Sequence, residues 1–213
     1  MSNTKRKFIE SHWLTFAMKG AVSVVAGLCL MFSRNDDTHF LTQIMGWTMF
    51  GLAFIEIANV IYRKVRSHNW GFPLFLGLLE LSISVALLFT VDPNATEESL
   101  IAMRVAILSG YVVFASIVTI VMGFTSFDNM TDRFMWVVNG MVGTVLALLM
   151  LGGGSSSTDT AGIYFGTKVL LFGTYLMVNG ITDLFFGVHS RDEMAELHTG
   201  RKTVKKAAKK GKK

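Results

Sequence analysis

Cysteine and proline are nearly absent from this sequence, which contains one Cys and two Pro. A single cysteine, Cys29, excludes an internal disulfide, and without a Cys or His cluster at ligand spacing we expect no metal site. Pro73 and Pro93 lie at the start of one predicted helix and in a predicted loop, so no predicted helix has a mid-membrane proline break. Phosphate-binding glycine loops, HExxH and Gly-x-Ser-x-Gly motifs are also missing. We therefore predict that the protein is not an enzyme and expect no cofactor.

Charged residues are scarce as well, at 16%, whereas hydrophobic residues make up 51% of the chain. The mean hydropathy of +0.47 is too high for an ordinary soluble domain. Six segments reach the length of about 18–20 apolar residues that a bilayer crossing requires. We predict an all-α, polytopic membrane protein whose spans are 13–32, 40–62, 70–91, 100–124, 134–151 and 162–187.

Lys and Arg are unevenly divided between the two sides that these spans define. Sixteen fall on the side of the chain termini and only Arg34 falls on the other side. The positive-inside rule therefore predicts a multi-pass protein of the cytoplasmic (inner) membrane with both termini in the cytoplasm. The predicted parts are a cytoplasmic segment, 1–11, a membrane domain, 12–188, and a basic cytoplasmic tail, 189–213.

Small residues recur every seven positions in each predicted span, as Gly20 and Gly27 do in the first. Seven residues make close to two helical turns, so each set forms a stripe on one helix face. Such faces let membrane helices approach closely. The register of the stripes predicts three similar helical hairpins, at about 12–66, 69–125 and 133–188. All three share one orientation, related by a pseudo-threefold axis along the membrane normal.

The hairpins carry four local features: Trp13 with Gly20/Gly27, Trp70 with Gly77, the LLFTVDP stretch that ends at Pro93, and Phe172-Gly173. On these residues the chain resembles the HdeD-like acid-resistance membrane protein family, which is built from short membrane repeats of unknown function. The resemblance covers nearly all of 12–188 and implies a bacterial or archaeal inner-membrane protein linked to acid or envelope stress. It carries over no catalytic residues. The first and third outer loops lack the proline of the second, and the basic tail is an addition.

Six ionisable residues interrupt the apolar spans, where a charge near the bilayer centre costs about 2.5–3.5 kcal/mol. Lys19 and Glu56 lie at comparable depth in adjacent helices of one hairpin, so we expect them to form a structural ion pair. Asp183 lies nearer the inner surface and is expected to be an interfacial acid.

The other three are candidate functional residues. Glu80 lies near mid-membrane with no cation expected beside it, and such a site favours the neutral carboxyl. Arg104 and Lys168 occupy equivalent repeat positions in the outer third, so the two cations would lie at similar height about the pseudo-axis. Two alternatives stay open. Arg104 and Lys168 could snorkel to the outer headgroups, and Glu80 could hydrogen-bond to a neighbouring helix.

The C-terminal tail, RKTVKKAAKKGKK, is strongly basic and contains no acid. Such a tail can bind anionic lipid headgroups at about 1 kcal/mol per cation, or it can serve only to fix topology. No base-reading motif accompanies it, so we expect no specific nucleic-acid binding. The candidate lipid-contacting residues are Arg201, Lys202, Lys205, Lys206, Lys209 and Lys210.

These features favour a non-enzymatic integral inner-membrane protein that contributes to acid or envelope-stress tolerance through membrane or partner interactions. The partner would be a second copy or another membrane protein. The alternative is a small transporter or channel that uses the intramembrane charges around the pseudo-threefold axis.

Overall fold

The computed structural model describes residues 3–33, 38–63, 71–89, 96–126, 130–152 and 161–210. Side-chain positions are described for 13–33, 38–62, 74–89, 96–125, 130–152 and 165–189. Within these ranges the chain forms only helices, as the sequence predicts. They are α1 (Asn3–Phe32), α2 (Thr38–Arg63), α3 (Gly71–Phe89), α4 (Glu97–Ser126), α5 (Met130–Leu151) and α6 (Ala161–Lys210).

Five of the helices are long and apolar enough to cross a membrane, so the protein is a multi-pass membrane protein. The candidate spans are Trp13–Phe32, Thr38–Tyr62, Glu97–Thr125, Met130–Leu151 and Phe165–His189. The apolar part of α3, Leu74–Phe89, is shorter than these spans. The ends of the predicted span 70–91 lie outside the described residues. Helix α6 has 50 residues and continues without interruption past the predicted boundary at 188.

The six helices pack most extensively as three pairs: α1 with α6, α2 with α3, and α4 with α5. Contacts between α1 and α2 and between α5 and α6 are fewer, and α3 and α4 barely touch. The closest neighbours therefore belong to different predicted hairpins.

Glycine holds α1 and α6 in direct backbone contact. A Cβ atom added at Gly20 would lie 2.6 Å from the Gly180 carbonyl oxygen, and one at Gly27 would lie 2.6 Å from that of Gly173. Gly187 faces Ala17 in the same way, at 2.7 Å from its backbone nitrogen. As numbers rise along α1 they fall along α6, so the two helices are antiparallel. Only residues without a side chain allow this separation, and close packing is what holds membrane helices together.

The other two pairs use glycine less strictly. A Cβ at Gly140 in α5 would lie 2.6 Å from the Ser116 carbonyl oxygen of α4, whereas a Cβ at Gly46 in α2 would meet side chains of α3, those of Leu88 and Leu87. Gly166, a member of the predicted stripe in α6, has nothing within 4 Å of such a Cβ. The seven-residue period thus indicates the packed face of each helix, but it does not predict which small residues on that face contact a neighbouring helix.

The two ends of the bundle differ in what fills them. We call the end that contains Trp13 and Gly187 the terminal side and the other end the opposite side. Between mid-membrane and the opposite side the largest buried side chains are apolar and each at most 2% exposed. They include Met45, Met49, Leu108, Met150, Phe165 and Phe172.

The terminal side contains an aromatic cluster and several polar side chains. Phe16, Trp136 and Phe186 meet edge to face, with ring centroids 5.2–5.8 Å apart, and join α1, α5 and α6. The polar residues Thr15, Asp132 and Asn139 are buried in this half. The buried carboxyl and amide groups therefore lie toward the terminal side and mid-membrane, whereas the buried polar groups of the opposite half are hydroxyl groups and Lys168.

We expect Gly20→Ala to destabilise the protein, because its methyl group would overlap backbone atoms of α6 and force the helices apart. Overpacking of this kind costs roughly 1–3 kcal/mol. Unfolding of the purified protein in mixed micelles measures the change. Gly110→Ala is the matched control, since nothing lies within 4 Å of the added atom. Equal stability of the two variants would show that the α1–α6 contact is looser than described.

Candidate functional site

A cluster of ionisable side chains lies in the interior of the bundle. The Lys19 ammonium donates to Glu56 Oε1 at 2.8 Å and to Glu80 Oε1 at 3.1 Å. The Tyr111 hydroxyl donates to the same Glu80 oxygen at 3.0 Å. One ammonium group is thus shared by two carboxyl groups, and a phenol completes the cluster.

The cluster joins the three packed helix pairs at one point. Lys19 belongs to α1 of the α1–α6 pair, Glu56 and Glu80 belong to α2 and α3, and Tyr111 belongs to α4 of the α4–α5 pair. Since α3 and α4 barely touch elsewhere, the Tyr111–Glu80 hydrogen bond is a main link between them. The polar contacts bridge pairs whose mutual packing is weaker than their internal packing.

Burial makes these contacts strong and costly to break. The side chains of Lys19, Glu56 and Glu80 are 13%, 11% and 2% exposed. In a low-dielectric interior, removing one partner of such a network leaves an uncompensated charge, which costs about 3–5 kcal/mol. Hydrogen bonds in such networks also reinforce one another. The network therefore specifies one arrangement of the three pairs.

A second polar chain runs from α5 into α6 beside this cluster. The Asn139 side-chain amide donates to Asn179 Oδ1 at 3.0 Å, and the Asn179 amide donates to Asp183 Oδ2 at 3.4 Å. Asp183 is 5% exposed and interacts electrostatically with Lys19. The carboxyl group of Asp183, which is expected from the sequence to be an interfacial acid, therefore lies inside the bundle.

Lys19 and Asp183 lie at similar depth in the bundle. At about 1.5 Å per residue along a helix, Lys19 is about 9 Å inside Trp13 and Asp183 is about 9 Å inside His189. The four ionisable groups Lys19, Glu56, Glu80 and Asp183 form what we call the acid–lysine cluster. It lies in the terminal half of the bundle.

Glu80 differs from its sequence-based description. The sequence places no cation beside it, whereas the structure places the Lys19 ammonium 3.1 Å from Oε1. Its second oxygen, Oε2, is buried and has no hydrogen-bond partner among the described residues. Both hydrogen-bond donors thus contact Oε1, and none of the described residues donates to Oε2.

Arg104 and Lys168 do not join Glu80. Arg104 is seven residues from Tyr111 on α4, and Lys168 is seven residues from Tyr175 on α6. Each cation is therefore about 10 Å along its helix from a tyrosine next to the cluster. Lys168 is buried and donates to the carbonyl oxygens of Leu149 and Gly152 at the end of α5. Arg104 is half-buried and interacts with Glu97. Lys168 therefore caps a helix, since the last carbonyl groups of α5 have no partner within that helix.

The neutral members of the site are not among the residues predicted from the sequence. Tyr111, Asn139 and Asn179 supply the hydrogen bonds that hold the carboxyl groups. Their signal is present in the sequence, because an amide inside an apolar span needs a partner on a neighbouring helix. The side chains of the basic tail, Arg201 to Lys210, lie outside those that the structure describes.

Among the described residues, no group of three or more His, Cys, Asp or Glu side chains is arranged to hold a metal ion. What the acid–lysine cluster can do chemically is hold and exchange protons, because it combines three carboxyl groups with one amine.

Comparison with known proteins gives one match. A family model described as a short repeat of unknown function (DUF308) matches residues 18–89. This stretch contains Lys19, Glu56 and Glu80, so the chain is similar to that family over the part that supplies most of the cluster. No curated protein and no solved structure matches the chain.

We expect Lys19→Met to lower the free energy of unfolding by about 3–5 kcal/mol, because two carboxyl groups lose their shared cation. Unfolding in mixed micelles measures the loss. The triple variant Lys19→Met/Glu56→Gln/Glu80→Gln, which removes every charge of the shared contact, should lose less than the single variant. A Lys19→Met protein as stable as the wild type would show that the contact does not hold the helix pairs.

Lys168→Met should destabilise the protein by about 1.5–3 kcal/mol, the worth of hydrogen bonds to a charged donor. Arg104→Met is the matched control, since it removes a cation from the equivalent repeat position. We expect a smaller effect, within about 1 kcal/mol, because its partner Glu97 is exposed and surface ion pairs contribute little. The same unfolding assay compares the two, and equal losses would contradict the capping role of Lys168.

Proposed function

We propose that this chain is a non-enzymatic, HdeD-like protein that contributes to acid or envelope-stress tolerance through membrane or partner interactions. The observation that carries the proposal is the acid–lysine cluster, which joins three helix pairs through titratable side chains. Protonation of a carboxyl group weakens its attraction to Lys19 and so alters how the pairs are held together. The match of the short-repeat family model to residues 18–89 supports the HdeD-like assignment.

The three-repeat architecture belongs to this proposal. Each of the three packed pairs joins the second helix of one predicted hairpin to the first helix of the next, and the α6–α1 pair closes the ring. Three similarly oriented units around a pseudo-threefold axis would produce this cyclic pattern. The acid–lysine cluster then lies where the units meet.

Location and orientation follow from the distribution of cations. The excess of Lys and Arg on the terminal side supports a cytoplasmic-membrane protein with both termini in the cytoplasm. In that orientation the cluster lies in the cytoplasmic half of the bilayer. The basic tail would contact anionic headgroups there, and the partner would be a second copy or another membrane protein.

The alternative function is a small transporter or channel, and the burial of four ionisable groups in the bundle favours it. The apolar filling of the opposite half speaks against it, because a continuous pathway needs polar or open space on both sides of its charged site. Arg104 and Lys168 lie away from Glu80 and interact instead with Glu97 and with the end of α5, so these contacts add no support for the alternative.

A deletion strain tests the proposed function. We expect the strain to survive acid exposure less well than its parent, and a plasmid copy of the wild-type gene to restore survival. Glu80→Gln should restore it poorly, because the amide cannot take up a proton. Glu98→Gln, an exposed change in the first turn of α4, is the control and should restore survival fully. Normal acid and envelope-stress survival of the deletion strain would contradict the proposal.

Proteoliposomes separate the two functions. A pH-sensitive dye trapped inside the vesicles reports proton flux when the outer solution is acidified. We expect the protein to add no flux over empty vesicles. Flux that Glu80→Gln abolishes and Glu98→Gln preserves would favour the transporter or channel.

A further inference from the structure

The acid–lysine cluster contains more acid than base. Glu56, Glu80 and Asp183 contribute three carboxyl groups and Lys19 contributes one ammonium group. If all four were ionised, two negative charges would remain uncompensated within the cluster. Buried charges without partners are strongly disfavoured, and such groups usually take up protons instead.

The neighbours of the cluster do not supply the missing positive charge. Helix α4 contributes Tyr111 and α6 contributes Tyr175, both of which are neutral phenols in their protonated form. Helix α5 contributes the Asn139 amide and, nearer the terminal side, the buried carboxyl group of Asp132. Described residues of every neighbouring helix thus add neutral or acidic groups, and Lys19 is the cation that faces the carboxyl groups.

The hydrogen bonds of Glu80 mark the place of one proton. Lys19 and Tyr111 both donate to Oε1, while Oε2 is buried without a partner among the described residues. No donor stabilises a negative charge on this buried oxygen, and a carboxyl group in such a site favours its neutral form. A fully ionised carboxylate would instead attract a donor to each of its two oxygens.

Protons can reach the cluster from one side more easily than from the other. Toward the terminal side the buried side chains include Thr15 and Asp132, and the cluster lies only about 9 Å inside that end of the bundle. Toward the opposite side the largest buried side chains, such as Met45, are apolar, and the buried hydroxyl groups of Ser84 and Ser109 donate to backbone carbonyl oxygens. Proton exchange needs polar groups or water, and the shorter distance to solution and the buried acid on the terminal side favour exchange there.

We propose that Glu80 and Asp183 bind protons and exchange them only with the solution on the terminal side. The acid–lysine cluster is then a one-sided proton-binding site and not part of a route across the membrane. Its role in acid tolerance rests on the proposed function, whereas the binding of protons is a property of the purified protein.

Sided infrared spectroscopy tests the proposal. A tag at the C-terminus allows proteoliposomes to be separated into a population with the terminal side outward and one with it inward. Each population is immobilised on an attenuated-total-reflection crystal, and the outer solution is exchanged from alkaline to acidic while the inner solution is strongly buffered. We expect a protonated-carboxyl C=O band to grow in the terminal-side-outward population and to stay absent in the other. Equal growth in both populations would overturn the one-sided exchange.

Variants assign the band. Glu80→Gln and Asp183→Asn should each remove part of it, and the double variant should remove it altogether except for the response of exposed acids. Glu98→Gln, on the opposite side, should leave the terminal-side response unchanged. A band in the double variant as large as that of the wild type would overturn the assignment of the protons. Because the wild-type comparison needs no substitution, the proposal stays falsifiable even if a variant fails to fold.

The outcome is separable from that of the survival experiment. A one-sided band with normal acid survival of the deletion strain would retain the proton site and reject its proposed role. Reduced survival without a one-sided band would retain the proposed role in acid tolerance and reject the one-sided proton site.

Discussion

One ammonium group holds the arrangement together. Glycine faces pack the helices into three pairs, but contacts between the pairs are fewer. Lys19 reaches from the α1–α6 pair to both acids of the α2–α3 pair, and Glu80 in turn accepts the Tyr111 hydroxyl from the α4–α5 pair. Close packing thus determines the pairs, and a single shared cation determines how they meet.

The two kinds of contact differ in their response to the surroundings. Backbone contact between Gly20 and Gly180 depends on shape alone, so neither salt nor pH alters it. The contacts of Lys19 depend on the protonation of its carboxyl partners. The molecule therefore combines rigid helix pairs with a junction whose strength depends on proton uptake. A change in pH can therefore alter the contacts between the helix pairs without altering the packing within them.

The spans and charged residues can be predicted from the sequence because they depend on local composition. The depth of Lys19 and Glu56 also follows from their positions, and their side chains lie 2.8 Å apart. The seven-residue period identifies a packed face but not the helix that covers it, so the α1–α6 contact was not foreseen. The contact between Glu80 and Lys19 could not be predicted either, because it depends on how α1 and α3 are arranged. Lys168 and Arg104 share a repeat position, yet only Lys168 lies beside the uncapped end of α5.

The pairing of the first helix with the last has a consequence for biosynthesis. Helix α1 leaves the ribosome first, and its closest neighbour, α6, follows only after four other helices have been made. Until α6 has been made, the face of α1 that carries Gly20 and Gly27 lacks the helix that packs against it. Glu56 and Glu80 arrive earlier, so Lys19 can find its counter-ions while that face is still open. The order of synthesis thus allows the ionic contact to form before the glycine contact, and α6 adds Asp183 to the cluster as it closes the bundle.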